Sequence, residues 1–197
     1  MYSFGDEYKP VFQPLTINSQ QLEEVQTTKL LGVYLSSDLK WTTHIDYVCS
    51  KASKRLYAIR TLKRCGVPPR DLRSVFCYFV RPLVEYACPV WHSSLPQYLN
   101  DQVEQIQRRA VKIICPHLTY SDGLEELDLP TLFERRESLC KSFYLKNFQP
   151  SSKLAELLPK PAQPVYNVRY PRRFPLLKCR TNRFSSSFIP SSVRKWD

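Results

Sequence analysis

Between positions 45 and 59 the apolar residues recur every three or four positions, the spacing of one face of an α-helix. The stripe consists of Ile45, Val48, Cys49, Ala52, Leu56 and Ile59. Polar and basic residues fill the positions between them, so one face can be buried while the other meets solvent. We therefore predict an amphipathic helix that follows the Ser36-Ser37-Asp38 turn and ends near Gly66.

The same period recurs in three later segments and predicts three further helices. Their apolar stripes run from Leu72 to Leu83, from Leu99 to Ile114 and from Leu132 to Phe143. The first starts at "VPPRDL", and Pro82 should kink or end it because proline has no backbone N–H to donate. Pro116 ends the second, and the third is predicted from Pro130 to about Lys146.

Shorter apolar runs precede the first helix and predict β-strands. They read "VFQPLTI", "QLEEV" and "TKLLGVYL", with a turn at Asn18-Ser19 after the first. Gly32 lies inside the third run, where a glycine indicates a bulge or the close approach of another group to the backbone. Three short strands make a poor sheet alone, so we expect this element to lack a sheet partner.

No sustained period follows Gln149, where proline, serine and arginine are frequent. We predict extended or irregular backbone from there on, interrupted at most by a helical turn at Leu154 to Leu158. The predicted organisation is a β element over residues 1–38, a helical domain over 39–148 and an irregular basic segment over 149–197. The predicted fold class is mainly α, a helical bundle with a small N-terminal β element.

Positive charge is concentrated in two blocks of the sequence. The chain has a formal net charge of +11, and residues 51–73 hold eight basic residues and one acid. Residues 150–197 hold ten basic residues and two acids. Such a local excess is typical of a surface that binds a polyanion, but a solvated helix face and a solubilising tail would give the same pattern.

The sequence lacks the residue patterns of several enzyme classes. There is no Asp-Asp pair for two-metal phosphoryl transfer, and the four isolated glycines cannot form a phosphate-binding loop. The seven cysteines include no CxxC pair, which argues against a zinc finger and against a disulfide scaffold. We see no signal peptide and no run of about 18 apolar residues. We expect an intracellular protein with free thiols and with no metal, cofactor, small-molecule substrate or membrane partner.

The segment "EYACPVWHSSL" is dense in reactive side chains. Cys88 and His92 are four residues apart, the spacing that would place a thiol and an imidazole on one face of a helix. Pro89 interrupts that helix and no third catalytic group is visible, so a packed thiol and a hydrogen-bonded histidine are favoured. We predict a structural joint between two helices, with Glu85 paired to Arg81.

Six segments form an ordered series of motifs along the chain. They read "TTKLLGVYLSSDLKWTTHI", "CSKASKRLYAIRTLKRCGVP", "YFVRPLVEYACPVWHSSL", "VEQIQRRAVKIIC", "LDLPTLFERRESLCKSF" and "CRTNRFSSSFIPSSVRKWD". This series closely resembles the C-terminal part of the reverse transcriptases encoded by non-LTR retrotransposons, the LINE-type, jockey-like elements. The resemblance covers nearly all of the 197 residues.

In that family the polymerase is a right hand of palm, fingers and thumb, which implies where this chain would fit. Leu31, Gly32 and Val33 would belong to the primer-grip strand after the catalytic strands of the palm. The following helices would form the thumb, which closes over an RNA or DNA duplex and contacts its phosphates without sequence preference. The residues implied in these contacts are Lys51, Lys54, Arg55, Arg60, Lys63, Arg64, Arg108 and Arg109.

The family's tyrosine-any-Asp-Asp metal motif belongs upstream of the matched region and is absent from this sequence. The resemblance therefore implies a C-terminal fragment with no catalytic residues and no polymerase activity of its own, and with the missing palm as a partner. Two alternatives stay open, a helical adaptor that binds another protein and a poorly folded product of a degenerate element copy. Binding that weakens steeply with salt would favour a nucleic-acid partner over a protein partner.

Overall fold

Two short antiparallel hairpins come first in the computed structural model, which describes residues 15–161 and 173–197. Strand β1 (Thr16–Ile17) pairs with β2 (Gln20–Gln21), and β3 (Thr27–Leu30) pairs with β4 (Val33–Ser36). The predicted turn at Asn18-Ser19 is confirmed, and both of its residues have positive φ values, 48° and 66°.

The run "TKLLGVYL", predicted as one strand, forms two strands joined by a tight turn. Leu31 and Gly32 occupy this turn with φ values of 46° and 85°, so the alternative of a bulge within one strand is wrong. A two-residue hairpin turn of this type needs positive φ at both positions, which glycine adopts without strain. Of the predicted strand "QLEEV" only Gln21 lies in a strand, and residues 11–14 of "VFQPLTI" lie outside the described residues.

Helix α1 (Thr42–Arg64) is the long amphipathic helix that the sequence predicts. Its apolar stripe from Ile45 to Ile59 is buried. The predicted end near Gly66 is confirmed, because Gly66 has a φ of 81° and its N–H donates to the carbonyl of Lys63 over 3.1 Å. A glycine in the left-handed conformation is the usual way to end a helix and satisfy its last carbonyls.

A bent helix follows in three consecutive parts, which are α2 (Pro69–Val75), a π-helical turn (Phe76–Val80) and α3 (Arg81–Glu85). Pro82 has no N–H for a bond one turn back, and the turn before it widens to π-helical geometry. The helix therefore bends near Pro82 and does not end there. Its apolar stripe stays buried through the bend, with 0% exposure at Leu72, Phe76, Val80 and Val84.

The joint predicted at "EYACPVWHSSL" contains α4 (Cys88–Trp91) and a 3₁₀ turn (His92–Ser94). Ala87 has a φ of 51°, which breaks the helix immediately before α4. Trp91 is fully buried, and its indole N–H donates to the carbonyl of Tyr86 over 3.0 Å. The segment is therefore a packed joint, as predicted.

Helix α5 (Gln97–Ile114) runs parallel to α1. Gln102 donates to Asp46 over 2.7 Å, and Arg109 donates to Ser53 over 2.9 Å. Because the residue numbers rise together along both helices, the helices point the same way and begin at the same end of the molecule.

Two helices follow, α6 (Tyr120–Glu126) and α7 (Leu132–Asn147). Helix α7 confirms the last predicted helix and begins with a capping box, in which Thr131 and Glu134 satisfy each other's backbone N–H. Helix α6 was not predicted, because its seven residues are too few to show a clear apolar period.

Glu85 joins the bent helix to α7. Its carboxylate lies 3.2 Å from the guanidinium of Arg81, which confirms the predicted ion pair, and 3.1 Å from that of Arg135. The predicted mainly helical fold with a small β element near the N-terminus is confirmed, and the core lies among α1, the bent helix, α5 and α7.

Helical structure also occurs near the end of the chain, after a 3₁₀ turn at Lys153–Leu157 close to the predicted helical turn. Helices α8 (Asn182–Ser186) and α9 (Phe188–Trp196) form there, so the prediction of irregular backbone is wrong for residues 182–186 and 188–196. The physical reason is tertiary packing, which stabilises helices too short to be stable alone. Val193 is 1% exposed, and the Trp196 ring lies 5.9 Å from the Tyr144 ring of α7.

Candidate nucleic-acid interface

Lysines of α1 and β3 surround the side chain of Tyr47. The Tyr47 hydroxyl accepts hydrogen bonds from the ammonium groups of Lys51 (3.0 Å) and Lys29 (3.2 Å). The hairpin is held against the helix by the Tyr34 ring, whose centroid lies 4.8 Å from that of Tyr47. Lys54 is exposed on the same helix, three residues after Lys51. We call the surface formed by Lys29, Tyr47, Lys51 and Lys54 the basic face.

The charges of the basic face are positioned by the phenol at its centre. The ammonium groups of Lys29 and Lys51 lie 4.8 Å and 5.0 Å from the Tyr47 ring centroid, within cation–π range. The hydrogen bond to Tyr47 and the charges of Tyr34 and Tyr47 raise the pKa of Lys29. Hydrogen bonds from Lys51 and Lys29 lower the pKa of Tyr47. Lys29 therefore stays protonated at neutral pH.

Exposed aromatic surface continues from the basic face toward the end of α1. Tyr57 follows Lys54 by three residues and is 65% exposed, and Arg64 lies exposed seven residues further on. Residues at these spacings share one side of a helix. An exposed ring between cations is an arrangement on which nucleic-acid bases stack.

Arg55 is placed in a packing contact between α1 and the π-helical turn. Its guanidinium donates to the carbonyl of Phe79 and lies 4.4 Å from the Phe79 ring centroid. Arg55 is only partly exposed, in contrast to Lys51 and Lys54. Its charge borders the basic face, but its hydrogen-bonding capacity is partly used within the protein.

Four of the predicted basic residues lie away from this face, namely Arg60, Lys63, Arg108 and Arg109. Lys63 donates to the carbonyl of Ile114 over 3.0 Å, where its charge neutralises the C-terminal end of α5. Arg108 lies on α5 with its guanidinium 4.3 Å from the Tyr120 ring centroid, which ties α5 to α6.

Arg60 and Arg109 lie along the contact between α1 and α5. Arg109 is bonded to Ser53, and Arg60 follows Ser53 by seven residues, two turns along the same side of α1. Within residues 15–161 and 173–197, none of the eight predicted basic residues forms a salt bridge with a carboxylate. Their charge is therefore not neutralised by a described acidic side chain.

The positions that resemble a primer grip lie at the tip of the second hairpin. Leu31 is 83% exposed, Gly32 shares its turn, and Val33 begins β4 with 6% exposure. The Tyr86 hydroxyl donates to the carbonyl of Leu31 over 2.8 Å. A side chain at Gly32 would meet the Tyr86 ring at 3.3 Å, so the predicted close approach to Gly32 is confirmed.

Cys88 and His92 do not form a nucleophile and base pair. Cys88 is buried, and its interaction with the Cys140 thiol of α7 lowers its pKa. His92 is buried, with Nε2 3.1 Å from a carboxylate oxygen of Glu137 and Nδ1 3.3 Å from Nε of Arg136. Burial and the charge of Arg136 lower the pKa of His92 to about 4. The predicted packed thiol and hydrogen-bonded histidine are confirmed.

The described residues contain no group of three or more His, Cys, Asp or Glu side chains arranged to hold a metal ion. In the same ranges, no helix has the length and apolarity that crossing a membrane requires. All seven cysteines are free thiols. Comparison of the chain with protein-family models, with curated proteins and with solved structures gives no significant match.

Sequence reasoning did not include Lys29 and Tyr47 in the candidate site. Lys29 precedes α1 by 13 residues, and no periodicity indicates that the hairpin folds against this helix. A signal for Tyr47 was present, because Tyr47 and Lys51 are four residues apart on the predicted helix and must share a side.

Proposed function

We propose that the chain is the region of a non-LTR retrotransposon reverse transcriptase that follows the palm, and that it binds an RNA or DNA duplex. In this proposal the phosphates of the duplex contact the basic face, which α1 and β3 form together. The observation that carries the binding role is the grouping of Lys29, Lys51 and Lys54 on one exposed surface without a described carboxylate partner. Lysines grouped in this way attract the phosphate backbone through charge, whatever the base sequence.

The family assignment is supported by the order of the six motifs and by the helical architecture of the segments that carry them. The chain itself would carry no catalytic step, because the aspartate pair of the family's metal site is absent from its sequence. Its role would be to hold the duplex while a palm supplies the chemistry.

The decisive experiment compares duplex binding of the full chain with that of the variant Lys29→Ala/Lys51→Ala/Lys54→Ala over a range of salt concentrations. Each lost phosphate contact should reduce the slope of log K against log salt by about 0.9, so the slope should fall by about 2 to 3. The affinity at low salt should fall by about tenfold or more.

The matched control is Lys141→Ala/Lys146→Ala/Lys153→Ala, which removes the same charge from exposed positions on α7 and the following turn. Its salt slope should stay close to that of the unmodified chain. If both triple variants show the same slope, binding depends on net charge alone and the basic face is not the interface.

A protein partner is a second candidate, favoured by the exposed apolar residues of the hairpins. Leu15 is 74% exposed, Leu31 is 83% exposed and Ile17 is 59% exposed. Exposed apolar side chains on and beside short, sparsely paired strands are typical of a surface that another protein covers. Binding through this surface should resist high salt and should be weakened by Ile17→Ser, whereas duplex binding should be unaffected by that substitution, because Ile17 lies outside the basic face and no charge is added.

A further inference from the structure

The ring of Tyr57 lies between two cations on the surface of α1. Tyr57 is 65% exposed, Lys54 precedes it by three residues and Arg60 follows it by three. Residues at this spacing are neighbours on one side of a helix. Lys54 and Arg60 are themselves exposed, so one positive charge borders the ring on each side along the helix.

A third cation reaches this side of α1 from the neighbouring helix. Ser53, one turn before Tyr57, accepts a hydrogen bond from Nη1 of Arg109 over 2.9 Å. This bond holds the guanidinium of Arg109 beside the same side of α1. It uses one of the five N–H groups of an exposed arginine, so the group keeps donors for an anion.

No carboxylate of the two helices lies near these cations in sequence. Asp46 is the one acidic residue of α1, and it precedes Tyr57 by eleven residues, roughly 16 Å along the helix axis. One turn on either side of Arg109, α5 carries Gln105 and Lys112. None of the three cations forms a salt bridge with a described residue, so the surface around the ring is positive.

The other exposed tyrosines of the described ranges differ in this respect. Those more than half exposed are Tyr78 (84%), Tyr86 (55%) and Tyr98 (60%). The positions three and four residues away from Tyr86 and Tyr98 hold no lysine or arginine. Arg81 lies three residues after Tyr78, but its charge is paired with Glu85 at 3.2 Å. The position between unpaired cations therefore distinguishes Tyr57 from these three tyrosines.

A flat ring bordered by cations suits one part of a nucleic acid in particular. The face of a base stacks on the ring, and the cations contact the phosphates on either side of that base. Inside a duplex both faces of each base are covered by the neighbouring base pairs, so only an unpaired nucleotide offers a free face. Tyr57 lies one turn beyond Lys54, the last lysine of the basic face, which a strand leaving the duplex can reach.

We propose that the surface formed by Tyr57, Arg60 and Arg109, which we call the stacking face, binds an unpaired nucleotide of a strand that leaves the duplex. The base stacks on the Tyr57 ring, and the two arginines contact the adjoining phosphates. This proposal rests on the proposed function, because the duplex must be held on the basic face beside it. The preferred ligand is therefore a duplex with a single-stranded tail, and a blunt duplex binds more weakly.

The experiment measures the affinity of the full chain for one duplex in three forms. These are the blunt duplex, the duplex with a tail of about six nucleotides, and the same tail built from abasic nucleotides, with the tail placed on a 3′ or a 5′ end. The two tails carry equal charge, and only one of them offers base faces. The unmodified chain should bind the tail with bases about tenfold more tightly than the abasic tail, for at least one of the two ends. Equal affinity for the two tails at both ends would overturn the proposal.

Tyr57→Ala should bind the two tails equally, because the ring that distinguishes them is gone. Tyr57→Phe keeps the ring and should keep the preference for bases. The melting temperature of Tyr57→Ala should be nearly unchanged, since the side chain is largely exposed. The matched control is Tyr78→Ala, which removes a more exposed tyrosine and should keep the preference. An equal loss in both alanine variants, or a preference that survives Tyr57→Ala, would refute the assignment to Tyr57.

The blunt duplex separates this proposal from duplex binding itself. It has no tail, so its loss of affinity in the Lys29→Ala/Lys51→Ala/Lys54→Ala variant tests the basic face alone. If that loss is seen and the preference for bases is not, the stacking face is refuted and duplex binding is supported. If the blunt duplex binds the triple variant as well as the unmodified chain, the basic face itself is refuted.

Discussion

Arg136 is a fully buried cation, and its charge helps to lower the pKa of the neighbouring His92. Its Nε donates to Nδ1 of His92, and its Nη2 donates to the side-chain oxygen of Asn100 over 3.1 Å. No described carboxylate forms a salt bridge with it, and the Trp91 ring centroid lies 5.6 Å from the guanidinium. Because Nδ1 of His92 accepts this bond, the imidazole proton is on Nε2 and donates to Glu137.

We expect the free energy of unfolding to decrease as the pH falls from about 6.5 to about 4. Burial and the charge of Arg136 lower the pKa of His92 from 6.5 to about 4, so the unfolded chain takes up a proton at a higher pH than the folded protein. The contribution of the neutral His92 side chain to the free energy of unfolding is complete above pH 6.5 and is lost as the pH approaches 4. The loss should be on the order of 3 kcal/mol and can be measured by urea unfolding at several pH values.

The variant His92→Gln provides the control for this prediction. Glutamine can accept from Arg136 and donate to Glu137 but does not titrate, so its stability should depend less on pH in this window. Glu137 also accepts from Lys195 over 2.6 Å, and this contact is retained in the variant. Burial lowers the pKa of His44 in the same direction, so part of the dependence should persist. An identical pH profile in both proteins would contradict the assignment to His92.

At the scale of single elements, α6 lies unusually close to α5. A Cβ atom at Gly123 would overlap Cγ1 of Val111, so a side chain there requires a neighbouring group to move. We expect Gly123→Ala to lower the free energy of unfolding by roughly 1–3 kcal/mol, because overpacking outweighs the better helix propensity of alanine. Thermal or urea unfolding measures this change.

Val111→Ala tests whether the clash is the cause. The single substitution should destabilise by leaving a small cavity, but in combination with Gly123→Ala it removes the clashing methyl group. The double variant should therefore be more stable than the sum of the two single effects predicts. Simple additivity would show that Gly123 is required for another reason.

The longest helices were the elements that sequence reasoning predicted best. Helices α1, α5 and α7 each repeat the apolar period several times, which makes the pattern distinctive. The hairpin turn at Leu31-Gly32 was missed because the run reads equally well as one strand, and leucine is uncommon at positive φ. Helix α9 was missed because its nine residues are stabilised by contacts with α7 that no local pattern encodes.

The basic face was predicted only in part, for a related reason. Lys51 and Lys54 were found because they lie on a helix with a clear period. Lys29 was not, because its position depends on how the hairpin folds back. The sequence could not separate Arg55 from the two lysines, since its contact with Phe79 joins residues 24 positions apart.

At the scale of the whole molecule, α9 packs against α7 and covers part of the helical bundle. Val193 is 1% exposed, and we expect Val193→Asp to lower the free energy of unfolding by about 3 kcal/mol or more, because it buries a carboxylate without a partner. The unfolding transition should stay single if α9 is part of one cooperative unit, which calorimetry can check.

Arg194→Ala is the matched control, because Arg194 is the next residue of α9 and is exposed. Arg194 donates one exposed hydrogen bond to the Ser185 hydroxyl, so its replacement should change stability by about 1 kcal/mol or less. A variant at Val193 that unfolds like the control would mean that α9 contributes little to the bundle and that the chain end behaves as the predicted tail.

The parallel arrangement of α1 and α5 has a consequence for how fast the protein folds. Asp46 and Gln102 are 56 positions apart, as are Ser53 and Arg109, so these contacts form only after the bent helix and the joint have returned the chain to the start of α1. A mainly helical protein normally folds quickly because most of its contacts are local. Here the central helix pair forms only after a long loop has closed. The conformational entropy of that loop is lost before the contacts between α1 and α5 can compensate for the loss. We expect refolding to be slower than in an antiparallel bundle of the same size, with the docking of α5 on α1 as the slow step.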